Sequence, residues 1–195
     1  MPGKHSSDNN NNAELPSVAI VVTGKNAQAF QDTSDSIESQ SYENVSVIKN
    51  EEDCVAKFFN GIEKKADVYG FLNAGDILVD GAVSKVVDKI KDKNIGGIYG
   101  DISVEHDGTV QEFYFPPFSA NGFSAMKGTF PFFIGKDVAM QLTLDENIKY
   151  LQGYATLLKI SSALSIAHIP ELLVRVVYKE TDVTSDMDYL SALNK

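Results

Sequence analysis

Short apolar runs alternate with amphipathic stretches along most of this chain. Val18 to Val22 is an unbroken, mostly β-branched run, too short for a helix, and predicts a strand buried on both faces. Ala27 to Gln40 follows with helical spacing, Phe30, Ser34 and Ile37 on one side and Gln31, Asp32, Asp35 and Glu38 on the other. Val45 to Ile48 predicts a second strand, Val55 to Lys65 a helix that turns Phe58, Phe59 and Ile62 inward, and Val68 to Leu72 a third strand. Gly81 to Lys93 repeats apolar residues at Val83, Val86, Val87 and Ile90 and predicts a helix with lysines on its wet face. Ile95 to Tyr99 predicts a fourth strand. Ile102 to Glu105 and Thr109 to Phe115 flank Asp107-Gly108, a strong hairpin signal that leaves His106 exposed at the tip. Further on, Pro131 to Ile134 predicts a strand, and Lys136 to Leu142 and Lys149 to Ser161 predict helices. Leu164 to Ile169 and Glu171 to Tyr178 predict strands on either side of Pro170, with His168 as a satisfied core histidine.

The early alternation of strand and helix implies a doubly wound, mostly parallel α/β sheet with helices on both faces and an added β-hairpin. Ligands of such sheets bind outside the carboxyl ends of the strands. The stretch Asn73-Ala74-Gly75-Asp76 stands at such an end, between an apolar strand and a helix. It also reads as an ordinary turn, with Asn73 and Gly75 for the bend and Asp80 as N-cap.

Residues 1–15, with the run Asn9 to Asn12, have nothing to bury and are expected to form a disordered tail. A single domain is expected over 16–180, and a tail or short helix over 181–195. Pro116 to Phe130 is a long irregular segment of the kind that often carries function. The formal net charge of −10 argues against a nucleic-acid partner and against an anionic membrane surface. A polyphosphate ligand would need a local device to hold it, such as a cation or a helix N-terminus. Cys54 is the only cysteine, which fits a reducing, cytoplasmic setting and excludes an intrachain disulfide. No run approaches the ~20 apolar residues of a transmembrane segment.

Five segments in order resemble the family 2 glycosyltransferases, inverting enzymes of the GT-A fold that use nucleotide-sugar donors. Pro16 to Val22 looks like the family's opening strand, with Gly24-Lys25-Asn26 as the turn after it. Ser36-Ile37-Glu38-Ser39-Gln40-Ser41-Tyr42 is similar to its "SI-x-x-Q-x-Y" helix end, and Phe71 to Leu78 to its "FLDADDxL". Ile98-Tyr99-Gly100-Asp101 looks like "vYGD", and His168 to Arg175 like "yIPExLvxyR".

The resemblance implies a nucleotide diphosphate sugar as donor and a saccharide or other hydroxyl acceptor as partner. It assigns donor binding to Thr23, Lys25, Asn26, Glu51, Glu52, Asn60, Asn73 and Lys179. Asn73 and Gly75 stand at the two D-x-D positions, leaving Asp76 as the carboxylate for Mg²⁺ or Mn²⁺. The family's general base falls on Gly153, which has no side chain to accept a proton; Asp145 and Glu146 are the remaining candidates. Two expectations follow from this pattern. One is an active transferase of unusual design. The other is a degenerate domain that binds a sugar nucleotide or a protein and is one module of a longer chain.

Overall fold

The computed structural model describes residues 15–51, 55–106, 108–119, 131–146 and 152–177. The elements in chain order are β1 (Val18–Thr23), α1 (Ala27–Glu38), β2 (Val45–Asn50), α2 (Val55–Gly61), β3 (Val68–Asn73), β4 (Ile77–Leu78) and α3 (Ala82–Ile90). β5 (Ile95–His106), β6 (Thr109–Phe113), β7 (Phe132–Gly135), α4 (Lys136–Gln141), α5 (Gln152–Ser161) and β8 (Ser165–Val177) complete them. The expected N-terminal tail before Leu15 and the C-terminal stretch from Tyr178 lie outside the described residues, as does most of the Pro116 to Phe130 segment.

One sheet carries all these strands in the order β2-β1-β3-β7-β5-β8-β4, with β6 paired to β5. β2, β1 and β3 pair in parallel, as do β5 and β8. β7 lies antiparallel between β3 and β5, so those two strands share one direction. Only β4, β6 and β7 run the other way. The expected α/β architecture is therefore present, with one refinement. A strand late in the sequence, β7, separates the third strand from the fourth.

The alternation along β1 explains the layers. Val18, Ile20 and Val22 face one core with Ile37 of α1 and Val83, Val86 and Val87 of α3. Ala19 and Val21 face the other, with Phe59 of α2, Ala139 of α4 and Leu157 and Ile160 of α5. A run that is apolar at every position suits a strand covered by helices on both sides.

Three local expectations need correction. Asp80 does not cap α3; Gly81 is the N-cap, with φ of 74° and no side-chain cap bond. Helix α2 stops at Gly61 rather than Lys65, where the Lys64 ammonium turns back to the Phe59 carbonyl at 2.8 Å and satisfies an orphan acceptor. The separate strands expected around Gly100 and Pro170 are single long strands, β5 and β8, which pair along their length across register shifts at Gly100, Asp101 and Ile102. Irregular pairing absorbs Pro170, which has no N–H to give a ladder.

Candidate functional site

Parallel register places three polar residues at one level. Val21 pairs with Ile48 on β2 and with Phe71 on β3; two residues on, Thr23 pairs with Asn50 and with Asn73. All three close the carboxyl ends of adjacent strands. The Asn50 side chain is fully buried and donates from Nδ2 to Thr23 Oγ1 at 3.1 Å. Asn73 is exposed. Asn50 was not among the residues implied by the sequence. Asking of the second strand what was asked of the third, namely which polar residue ends it, would have found it.

The turn after β3 is knitted into the neighbouring elements. Ala74 N–H donates to the Thr23 carbonyl at 2.8 Å, and Gly75 N–H to Thr33 Oγ1 at 2.8 Å. Thr33 in turn donates to the Ala29 carbonyl at 3.1 Å. Gly75 holds φ of 106°, a conformation that favours glycine. Any side chain at this position, a carboxylate included, would therefore strain the backbone.

Asp76 is 4% exposed, and its Oδ2 accepts the Asn73 N–H at 2.7 Å. Burial pushes its carboxyl up from 3.8 to about 7, against the Asn73 hydrogen bond that pulls it down. The carboxyl group therefore shapes the turn from inside. Among the described residues no three His, Cys, Asp or Glu side chains converge. Mg²⁺ demands a near-octahedral set of oxygens, whereas among the described residues of this turn Asp76 is turned inward and the neighbouring Glu51 is paired with Lys49. The described residues do not by themselves build a divalent-cation site.

The other residues implied by the sequence divide by location. Lys25 and Glu51 are exposed at the same edge, where Glu51 pairs with Lys49 at 2.7 Å. Its pKa is lowered by the Lys49 hydrogen bond first, then by the charges of Lys49 and Lys25. Asn26 is the N-cap of α1, its side chain accepting from Ala29 N–H at 3.0 Å. Asn60 is committed elsewhere: Nδ2 donates to the Leu144 carbonyl at 3.0 Å and to Glu146 Oε1 at 3.2 Å, while Oδ1 accepts the Leu144 N–H at 3.0 Å. That clamp holds the Leu144-Asp145-Glu146 turn against α2, with both carboxylates exposed. Gly153 is buried in the first turn of α5. Glu52 and Lys179 lie outside the described residues, although β8 ends at Val177, whose carbonyl lies 3.9 Å from where a Cβ on Gly75 would stand.

On the other side of β7, β5 brings Tyr99 and Asp101 to the same edge. Asp101 is 2% exposed and its Oδ1 meets both the Phe115 N–H and His168 Nε2 at 2.8 Å. Tyr99 stacks on His168 with ring centroids 4.9 Å apart and donates its hydroxyl to the Pro116 carbonyl at 2.6 Å. His168 is thus a satisfied core histidine, as its apolar strand suggested.

No family model matches the sequence, and no curated protein matches it. Solved structures do. The chain superposes on the glycosyltransferase TarS of S. aureus (residues 1-349) with a TM-score of 0.61 at 9% identity, covering 91% of this chain and 64% of that one. For the same TarS fragment in complex with UDP-GlcNAc the TM-score is 0.63 at 10% identity, covering 84% and 59%. The chain therefore spans less than two thirds of those structures. The likeness establishes the fold, a GT-A-like mixed α/β sheet with helices.

Proposed function

We propose that this chain is a nucleotide-sugar-binding domain of the inverting, family 2 glycosyltransferase kind, with the donor seated at the carboxyl edge of β2, β1 and β3. The observation that carries this reading is the level alignment of Thr23, Asn50 and Asn73 on a sheet that superposes on TarS, one of whose structures holds UDP-GlcNAc. Hydroxyl and amide groups of this kind suit the base and ribose of a nucleotide, which are neutral and rich in hydrogen-bonding positions. Glu51 extends that edge with acceptors for ribose hydroxyls. Exposed Lys25, beside it, supplies a cation for the diphosphate.

Transfer by inversion needs one displacement. The acceptor oxygen attacks the anomeric carbon, the bond to the diphosphate breaks on the opposite face, and a base takes the hydroxyl proton. Asp145 and Glu146, exposed on the turn that Asn60 clamps, are the carboxylates proposed for that base. A second reading is favoured by Gly153, whose position in α5 offers no proton acceptor: the domain binds the sugar nucleotide, alone or within a longer chain, and does not transfer.

Calorimetric titration with UDP-GlcNAc, UDP and GDP, with and without Mn²⁺, tests the shared part of both readings. Binding is expected, and Asn73→Ala should weaken it about tenfold, the loss of one hydrogen bond to a buried or charged group. A wild-type chain that binds none of these overturns both readings. Release of UDP from UDP-GlcNAc in the presence of saccharide acceptors then separates them, since only a transferase turns over.

A further inference from the structure

Asp101 and His168 are a buried polar pair with no part in the donor chemistry above. Two apolar side chains would join β5 to β8 with less desolvation, so the arrangement calls for a reason. Its hydrogen bonds supply one. Asp101 Oδ1 also takes the N–H of Phe115, and Tyr99, stacked on the His168 ring, gives its hydroxyl to the carbonyl of Pro116. Two buried side chains, Asp101 and Tyr99, therefore hold the two residues that follow the hairpin, and His168 touches both of those side chains. No other hydrogen bond reaches the His168 ring among the described residues.

The location adds to this. β7 pairs with β3 as far as Phe71 and with β5 as far as Ile98. Asn73 stands two residues beyond the first and Asp101 three beyond the second, on strands of the same direction. Asn73 and Asp101 thus flank the start of β7 at one edge. Phe115 and Phe118 pack from there into the core shared with α5.

We infer that Asp101 and His168 are positioning residues: Asp101 holds Phe115, His168 braces both Asp101 and the Tyr99 ring that bonds Pro116, and together they fix the wall of the carboxyl edge that faces Thr23, Asn50 and Asn73 across β7. This rests on the reading of that edge as a donor site, with the nucleotide on the β1 side and the sugar toward the fixed wall. His168 supplies the N–H that keeps the Asp101 carboxyl turned toward the Phe115 amide. Any side chain with a donor at that point serves; an aromatic ring without one does not.

The test compares wild type with H168F, which keeps a ring to stack on Tyr99 but has no N–H, and H168Q, which restores a donor. Exchange of the Phe115 amide should be about tenfold faster in H168F, the loss of one hydrogen bond to a buried carboxyl, and close to wild type in H168Q. UDP affinity should be unchanged in both variants, whereas the extra affinity of UDP-GlcNAc over UDP should be lost in H168F alone. Equal Phe115 exchange in folded H168F and wild type overturns the holding role. UDP and UDP-GlcNAc affinities that move together, or not at all, overturn the wall. If H168F does not fold, a wild-type Phe115 amide exchanging at the free-peptide rate, or H168Q with rapid exchange, overturns the inference. Wild type that binds neither ligand sinks the donor reading, while the exchange data still decide whether the pair holds Phe115.

Discussion

The two sides of the sheet, on either side of β7, place their polar groups differently. On the β2-β1-β3 side they sit where regular parallel strands stop: Thr23, Asn50 and Asn73 share a level, and Asn73 is left open to solvent. On the β5-β8 side they are sealed inside. Asp101 and His168 lie where two long strands bend past each other, and their hydrogen bonds go to the protein itself. On the regular side Asn50 is buried and bonded to Thr23, and Asn73 is the exposed residue of the three. At the irregular pairing the buried side chains are instead spent on the segment after β6, on the Phe115 N–H and the Pro116 carbonyl.

That contrast can be put under strain, first at the bend. A Cβ on Gly100 would meet Leu173 Cγ at 2.3 Å and the Glu171 carbonyl at 3.2 Å, so Gly100→Ala should cost about 1–3 kcal/mol in urea unfolding. Gly61→Ala, at a helix end with nothing within 4 Å, should cost far less. Equal costs would mean that the bend is not tightly packed.

Asp76 gives the next test, on the open side. Its carboxyl is held near 7 when folded against 3.8 ordinarily, so between those values the folded chain keeps a proton that the unfolded chain has released. The stability this group contributes is full below about pH 4, declines as pH rises toward 7, and is gone above it. Urea unfolding of wild type and Asp76→Asn from pH 4 to 8 should show wild type losing ground to the variant across that window and parallel behaviour above it. Parallel curves throughout would show that the carboxyl is not buried as described.

The smallest effect is expected at Asn26. Replacing this N-cap with Ala should cost about 1 kcal/mol, read by thermal unfolding, while leaving the β5-β8 side untouched by hydrogen exchange.

How far the sequence disclosed this arrangement follows the same division. Apolar runs such as Val18 to Val22 and Val68 to Leu72 revealed the parallel strands, and the polar residues that end them marked the edge. Asn50 escaped because the apolar pattern of β2 is short and mixed, with only its last residue fully buried. β5 and β8 were each divided because Gly100 and Pro170 ordinarily punctuate a strand, and nothing local tells that an irregular partner will absorb them. The position of β7 between β3 and β5 depends on contacts far apart in sequence, which periodicity does not encode. The commitment of Asn60 to Leu144 was hidden for the same reason, across 84 residues.

The turn after β1 and the turn after β3 touch so closely that a Cβ on Gly24 would lie 2.6 Å from that of Ala74. The two loops that frame the edge therefore cannot change independently. Any lineage that enlarges one must first shrink the other, and Gly24, with φ of 152°, is poorly placed to be the one that grows. New ligand preferences at this edge would arise more readily through the side chains around these two turns than through the seam between them.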